Sequence, residues 1–350
     1  MKAVYDVAVI GCGRMGGTID DEMHDYPRFR LPYSHAAAYA ACPRTRIVAA
    51  ADPVTEKRTR FGERYGVPPR NLFASGQEML ARIPLDIVSV TTHAPAHCEN
   101  ALAAIEAGVP AVFCEKPLAV SLHEGDLMVA AAEQRRTITA VGTLRRWNAL
   151  WNRIKETIDS GEAGKVSQIV QYSGGALLHT ESHFFDLGRY LLGNAEPEWA
   201  VGHLLGDATA NPDGSFPDSA GHGYVRFRNG AEYCLVGMGC LYYEATVVCA
   251  DAVWRVLNNG DSARLWAKDP EVGRGFTREV PFAVPEPVSA TLRAVEEIVA
   301  CLDRGGNTRC TFRDGLVALE MAMAFHLSHR RGNVRVDWPI GDRALRVMAR

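Results

Sequence analysis

Five short apolar runs in the first 145 residues constrain the fold more than any other feature of the chain. "YDVAVIG", "RIVAAAD", "LDIVSVTT", "PAVFCEK" and "TITAVGT" carry few charges and do not alternate cleanly between apolar and polar positions. A strand wetted on one face alternates, whereas a strand covered on both faces does not. Helical segments lie between the runs. "AHCENALAAIEAG" closes on Gly108, a suitable C′ residue, and "SLHEGDLMVAAAEQR" opens on Ser121 with Glu124 three positions later, a capping-box pattern. Repeated strand–helix units predict a doubly wound parallel sheet of Rossmann type over residues 1–145.

The texture changes beyond about residue 150. "KVSQIVQYS", "GYVRFRNGAEYCLVG", "TVVCADAVWRVLNN" and "ARLWAK" alternate or are rich in aromatics, and "RNG" and "NNGD" suit hairpin turns. Residues 146–350 are therefore expected to form an α+β domain with a large, mostly antiparallel sheet. Two helices are expected near the end, in "PVSATLRAVEEIVACLDRG" and "RDGLVALEMAMAFHLSHRRG". "GDATANPDGSFPDSAGHG" is dense in Gly, Pro, Asp and Ser and is expected to be a mobile loop.

A length of 350 residues suits two domains. The net charge of −3 argues against a nucleic-acid partner or a polybasic membrane anchor, and no apolar run is long enough to span a bilayer. The N-terminus leads directly into glycines and does not read as a signal peptide. Nine scattered cysteines without a C-x-x-C spacing read as buried thiols in a reducing cytoplasm. Lysine is scarce beside arginine, so Lys116, placed between Glu115 and Pro117 at the end of an apolar run, invites a chemical reading.

"VIGCGRMGG" sets Gly11, Gly13 and Gly16 in G-x-G-x-x-G directly after a strand. The first glycine permits the tight turn, the second lets backbone approach a pyrophosphate, and the third allows close helix–strand packing. Arg14 and Met15 complete this loop. The second strand ends in Asp52, placed to accept hydrogen bonds from the adenosine ribose, with Pro53 after it. A carboxylate there repels a 2′-phosphate, so NAD is expected over NADP. Lys57, Arg58 and Arg60 keep NADP as the alternative. Asp52 follows the glycines at more than the usual spacing of about 20 residues. The excess is an insertion, Asp20 to Ser34, expected to border the cofactor or substrate entrance.

These features together resemble the glucose–fructose oxidoreductase and inositol dehydrogenase (Gfo/Idh/MocA) family over nearly the whole length. The resemblance rests on "GCGRMG", "AAADP", "TTHAPAHCENALAAIEAGVPAVFCEKPLAV", "VGTLRRWNALW" and "HTESHFFDLGRYLLG". It implies that Glu115 and Lys116 stand beside the nicotinamide and that Lys116 is catalytic. Pro117 biases Lys116 away from helical geometry and permits a cis peptide. The family's Thr-Pro followed by His is altered here: His97 matches the histidine, but His93 stands for the first proline, and Pro95 is added. Thr91, Thr92 and His93 are expected at the nicotinamide ribose, with His97 either near them or a buried structural histidine.

In the second domain His183 and Asp186 match the family's His-x-x-Asp, which makes His183 the expected acid/base. Where many members carry an aspartate, this chain has His179, and Glu181 replaces a small residue. His179 is a candidate for hydrogen bonding to substrate or to Lys116. In the first turn of a helix, the macrodipole disfavours the imidazolium form of His183 and leaves the ring able to accept a proton. Asp186 orients His183 or pairs with Arg189. Arg146 and Trp147, with Arg145, are expected to face substrate, or else Trp147 covers a helix's apolar side.

The resemblance implies an NAD(P)-dependent oxidoreductase acting on a secondary hydroxyl of a sugar, sugar derivative or cyclitol. It implies a cytoplasmic homodimer or homotetramer. The alternative is a redox-neutral enzyme that uses tightly held NAD for transient oxidation. A non-catalytic NAD-binding regulator would need neither Lys116 nor His183. "HTESH" offers two histidines and a glutamate but lacks the Pro-Cys-x-x-Cys of zinc deaminases, so no metal is expected.

Overall fold

In the computed structural model, which describes residues 2–23, 30–206, 208–237, 243–269, 271–272 and 275–349, the five apolar runs become strands of one parallel sheet. They are β1 (Tyr5–Ile10), β2 (Thr45–Ala51), β4 (Ile87–Val90), β5 (Ala111–Cys114) and β6 (Ile138–Val141). A short β3 (Leu72–Phe73) adds an edge, and the order is β3-β2-β1-β4-β5-β6. Every residue of β4 and β5 is buried, the reason these runs lack a polar alternation. The single polar side chain among them is Ser89, which has no exposed surface.

Helices α1 (Asp20–Met23), α2 (His35–Ala41), α3 (Thr55–Tyr65), α4 (Gly76–Leu80), α5 (His97–Glu106) and α6 (Leu122–Arg135) connect the strands. The Ser121 hydroxyl accepts the Glu124 N–H at 3.2 Å, as the capping box requires. Glu124 reaches back one residue further than that motif predicts and takes the Val120 N–H at 3.2 Å.

The chain divides into two compact units, one made of Met1–Trp147, Pro287–Leu316 and Ala349–Arg350, the other of Asn148–Glu286 and Val317–Met348. The second unit contains α7 (Ala149–Asp159), β7 (Val166–Ser173), α8 (Ser182–Leu191), β8 (Pro197–Leu204) and β9 (Phe216–Pro217). It continues through β10 (Gly221–Phe227), β11 (Glu232–Gly237), β12 (Glu244–Cys249), β13 (Ala252–Leu257), β14 (Ser262–Lys268) and β15 (Thr277–Val280). Its nine-stranded sheet runs β15-β14-β13-β12-β7-β11-β10-β8-β16, where β16 is Val336–Asp337. Among the described pairings only β7–β11 is parallel, so the mostly antiparallel sheet expected from sequence is present.

Late in the chain, α9 (Ala290–Arg304) belongs to the first unit and α10 (Phe312–Arg330) follows it. The Thr291 hydroxyl at the start of α9 donates to the Tyr33 carbonyl at 2.8 Å, and Asp303 at its end accepts from Tyr5 Oη at 2.8 Å. The segment expected to be a mobile loop holds β9, which pairs in parallel with β17 (Val347–Met348). Cys12, Cys42, Cys98, Cys114, Cys234, Cys249 and Cys301 are free thiols, Cys310 Sγ lies 3.0 Å from the Thr143 hydroxyl, and Cys240 lies outside the described residues. Among the described residues no helix is long and apolar enough to cross a membrane.

Candidate active site

The carboxyl edge of the parallel sheet gathers most of the residues singled out in the first half of the sequence. One residue beyond each strand donates its N–H to the last carbonyl of the neighbouring strand. Asp52 donates to Phe73 (3.1 Å), Gly11 to Ala51 (2.8 Å) and Thr91 to Ile10 (2.8 Å). Glu115 donates to Val90 and Gly142 to Cys114, both at 2.8 Å. Asp52, Gly11, Thr91, Glu115 and Gly142 therefore stand in one row, and the order of strands in this sheet reverses between β1 and β4. Ligands of doubly wound sheets bind at that crevice.

The three glycines are required for three different reasons. Gly11 has φ +101°, and a Cβ on it would sit 2.7 Å from the Thr91 carbonyl carbon. A Cβ on Gly16 would lie 2.0 Å from the Gly11 carbonyl oxygen. Among the described residues a Cβ on Gly13 would meet nothing within 4 Å, so no packing contact there demands glycine. Open space at the middle glycine is what a pyrophosphate approaching the backbone needs. Thr91 fixes the turn through its hydroxyl, which donates to the Gly11 carbonyl at 2.7 Å. Beside it, the buried Thr92 Oγ1 has no hydrogen-bond partner among the described residues. A polar atom buried in this way is expected to find a partner, and here it borders the crevice. These residues fit a dinucleotide.

Asp52 is 7% exposed and bridges the two loops. Its Oδ2 accepts the Cys12 N–H at 2.9 Å and its Oδ1 accepts the Val54 N–H at 2.8 Å. Each oxygen keeps a lone pair for a further donor. The neighbouring Cys12 thiol is pushed up to about 12, by burial first and by the Asp52 charge second, so it stays protonated. Arg58 donates at 3.2 Å to the carbonyls of both Asp52 and Pro53. Arg14 forks onto Glu22, at 2.9 and 2.7 Å, and Met15 follows it in the turn. The Asp20–Ser34 insertion is closed by the Asp20 carboxylate, which accepts the N–H groups of Tyr33 and Ser34 at 2.8 and 2.9 Å. Its middle, residues 24–29, lies outside the described residues.

Glu115 is 4% exposed. One carboxylate oxygen accepts the Lys116 N–H at 3.1 Å, and the other lies 3.1 Å from His35 Nε2. Burial pushes this carboxyl up, but the His35 hydrogen bond and the Lys116 charge outweigh it, so its pKa lies below the ordinary value. The Lys116–Pro117 peptide is cis.

His97 takes the structural alternative of its two expected roles. It is 1% exposed, with Nδ1 2.8 Å from the Pro117 carbonyl oxygen and Nε2 3.0 Å from that of Thr92. It ties the threonine loop to the Glu115–Lys116–Pro117 turn, while His93 is exposed at the start of the next helical turn. Burial lowers the His97 pKa against the two carbonyls, which favour the charged ring. A group whose folded pKa lies below its unfolded value binds more protons when unfolded. Its stabilising contribution is complete above pH 6.5 and is lost as pH falls through the lower folded value. Urea midpoints should therefore decline below about pH 6.5, and His97→Gln should flatten that slope. An unchanged slope in the variant would remove His97 as the cause.

In the second unit, His183 is the second residue of α8, the first-turn position expected from sequence. The approach to the helix is set by Asp218, which follows β9. Its carboxylate accepts the Leu178 N–H at 2.9 Å and the His179 N–H at 2.8 Å. His179 is exposed. Glu181 is 1% exposed and accepts from the Ser173 hydroxyl at the end of β7. Arg189 donates to Glu196 at 2.9 Å.

Arg146 and Trp147 occupy positions that differ from the substrate-facing expectation. Arg146 has no exposed surface and donates to the Arg309 carbonyl at 2.7 Å. Trp147 is 2% exposed, and its indole N–H donates to Glu297 on α9 at 2.7 Å. Both side chains hold the late-chain segment 287–316 to the end of β6. His35, Ser89, Gly142 and Asp218 were not singled out from sequence. His35 reads there as the first residue of an alanine-rich helix, and no local spacing links it to Glu115, 80 residues on.

Strand order 3-2-1-4-5-6 with a glycine turn at the switch point is that of a doubly wound dinucleotide-binding fold, and Lys116 follows β5, two strands along from that turn. The domain family described as "Oxidoreductase family, NAD-binding Rossmann fold" matches residues 5–143, and its companion "Oxidoreductase family, C-terminal alpha/beta domain" matches residues 168–337. The chain belongs to the Gfo/Idh/MocA oxidoreductase family. It is 28% identical over 189 residues to scyllo-inositol 2-dehydrogenase (NAD(+)) of Bacillus subtilis, covering 50% of this chain and 54% of that one. It is 26% identical over 322 residues to D-apiose dehydrogenase of Paraburkholderia graminis, covering 85% of each. The chain spans about half the length of the inositol dehydrogenases it matches. Among solved structures, levoglucosan dehydrogenase in complex with NADH superposes with a TM-score of 0.78 at 20% identity, covering 96% of this chain and 99% of that one.

Proposed function

We propose that this protein is an NAD-dependent dehydrogenase acting on a secondary hydroxyl of a sugar or cyclitol. The observation that carries the reading is the row at the sheet's carboxyl edge, where the open glycine turn, the orphaned Thr92 hydroxyl and Glu115–Lys116 stand on neighbouring strands. The named relatives, dehydrogenases of inositols and of apiose, support the substrate class. Gly11, Gly13, Gly16, Asp52, Thr91 and Thr92 would hold the dinucleotide. Bound there, a nicotinamide would supply the acceptor, or in reverse the donor, of the hydride. Lys116 donates a hydrogen bond to the substrate oxygen and stabilises the charge that develops on it. His183 removes the hydroxyl proton, and in the reverse direction returns it. By family analogy the protein is read as a cytoplasmic homodimer or homotetramer, which light scattering would test.

Steady formation of NADH with a panel of polyols and aldoses tests the reading. Tightly held NAD that is never released as NADH, with products unchanged in oxidation level, would instead favour the redox-neutral alternative. Calorimetry should show tighter binding of NAD than of NADP, because the Asp52 carboxylate would repel a 2′-phosphate on the adenosine ribose. Asp52→Ala should relax that preference. The same substitution should lower stability by about 1–3 kcal/mol, since it strands the Cys12 and Val54 N–H groups. Tighter binding of NADP by the unaltered protein would overturn the NAD assignment.

A further inference from the structure

A chain of four buried polar side chains runs beneath Lys116. Tyr39 Oη lies 2.9 Å from Ser89 Oγ, Ser89 Oγ lies 2.9 Å from His35 Nδ1, and His35 Nε2 lies 3.1 Å from Glu115. Tyr39, Ser89 and His35 have no exposed surface. Burial raises the Tyr39 phenol above its ordinary pKa, so it keeps its proton. That proton sets a direction for the chain. Tyr39 donates to Ser89, Ser89 donates to His35 Nδ1, and Nε2–H donates to the Glu115 carboxylate, leaving every donor with an acceptor. The His35 ring is fixed from the side by Phe113, with ring centroids 4.0 Å apart. Room for the carboxylate depends on Gly142, where a Cβ would fall 2.5 Å from Glu115 Oε1. The second carboxylate oxygen holds the Lys116 N–H.

From this geometry we propose that His35, backed by Ser89 and Tyr39, is a positioning residue for Lys116 that acts through the Glu115 carboxylate. A buried carboxylate without a partner takes up a proton instead of remaining charged. A protonated Glu115 would neither hold the Lys116 N–H as strongly nor supply the negative charge beside the lysine. The other groups whose charges act on or feel Glu115 are Lys116 itself, Tyr33, His97 and Cys114. Burial keeps the Tyr33 and Cys114 protons on and the His97 ring neutral, so none of the three supplies Glu115 with a positive charge.

The proposal rests on the reading of Lys116 as catalytic, and its test separates the two. Infrared-monitored titration of the cofactor-free protein reads Glu115 directly. His35→Leu should show a protonated-carboxyl band at a pH at least one unit higher than the unaltered protein, and His35→Leu/Glu115→Gln should lack it. In turnover, His35→Leu should lose tenfold or more at pH 6 and recover toward pH 8.5, an acid limb moved up by at least one unit. His35→Gln keeps an N–H donor and should stay near the original profile. If His35→Leu does not fold, Ser89→Ala should shift the same band and limb in the same direction by less. An unmoved band, or equal pH-independent losses in His35→Leu and His35→Gln, would overturn the proposal. Full turnover by Lys116→Ala would overturn the reading of Lys116, whatever the titration of Glu115 showed.

Discussion

Lys116→Ala should leave NAD affinity nearly intact and cut turnover by on the order of 10²–10⁴, the usual contribution of a positioned acid or base. The substitution spares the glycine turn, and it keeps the backbone N–H at position 116 that the Glu115 carboxylate accepts. His183→Ala should cause a loss of similar size. If both groups act on one hydroxyl they work as a unit, and the double variant should be little worse than either single one. Stopped-flow and steady-state kinetics with fluorescence titration of NAD check all three. Losses that multiply in the double variant would mean the two residues serve separate steps. His179→Ala then separates two roles. A loss resembling that of Lys116→Ala with an altered pH profile marks it as the lysine's partner. A raised Michaelis constant with turnover preserved marks it as a substrate contact. The Asp218 bonds to the Leu178 and His179 N–H groups hold the backbone in either case, so the alanine side chain alone is tested.

Gly13→Ala and Gly16→Ala should fail in opposite ways. At Gly16 the added carbon would sit 2.0 Å from a backbone oxygen that β1 and the glycine turn hold in place. Neither atom can retreat cheaply, so the fold should lose about 1–3 kcal/mol or more, seen as a lowered melting temperature in the cofactor-free protein. At Gly13 the added carbon meets none of the described residues within 4 Å. Melting of the cofactor-free protein should stay within about 0.5 kcal/mol, while NAD affinity falls tenfold or more because the methyl group occupies the path of the pyrophosphate. Unchanged NAD affinity in Gly13→Ala would place the dinucleotide elsewhere.

Much of the first sheet was legible because burial on both faces leaves a direct mark on composition. Runs such as "AVFC" and "IVSV" do not read as exposed strands, and a glycine turn directly after "YDVAVI" marks the switch point. The role of each glycine was less legible. Sequence spacing marks three glycines alike, but only the fold separates Gly16, excluded by a carbonyl, from Gly13, facing open space. His97 was legible as a histidine near the threonine loop. Its function as a tie between two carbonyls depends on the turn at Pro117, which lies 20 residues away.

The sequence by itself determined the local and periodic features: strand burial, helix caps, the glycine turn, and Lys116 at a strand's end. Each is a property of a few adjacent residues, and each follows from sterics or hydrogen bonding within them. Tertiary structure alone decided which distant side chains share a site. It turned Arg146 and Trp147 inward to hold residues 287–316, and it put Asp218 under the turn before α8. It carried His35 beneath Glu115 through a sheet register in which Ser89 on β4 pairs with Phe113 on β5, two residues before Glu115. Nothing in the seven residues of α2 distinguishes a histidine that faces a carboxylate from one that fills a core. The distinction arises only when parallel strands stack their carboxyl ends in one row and bring a buried charge within reach of the ring.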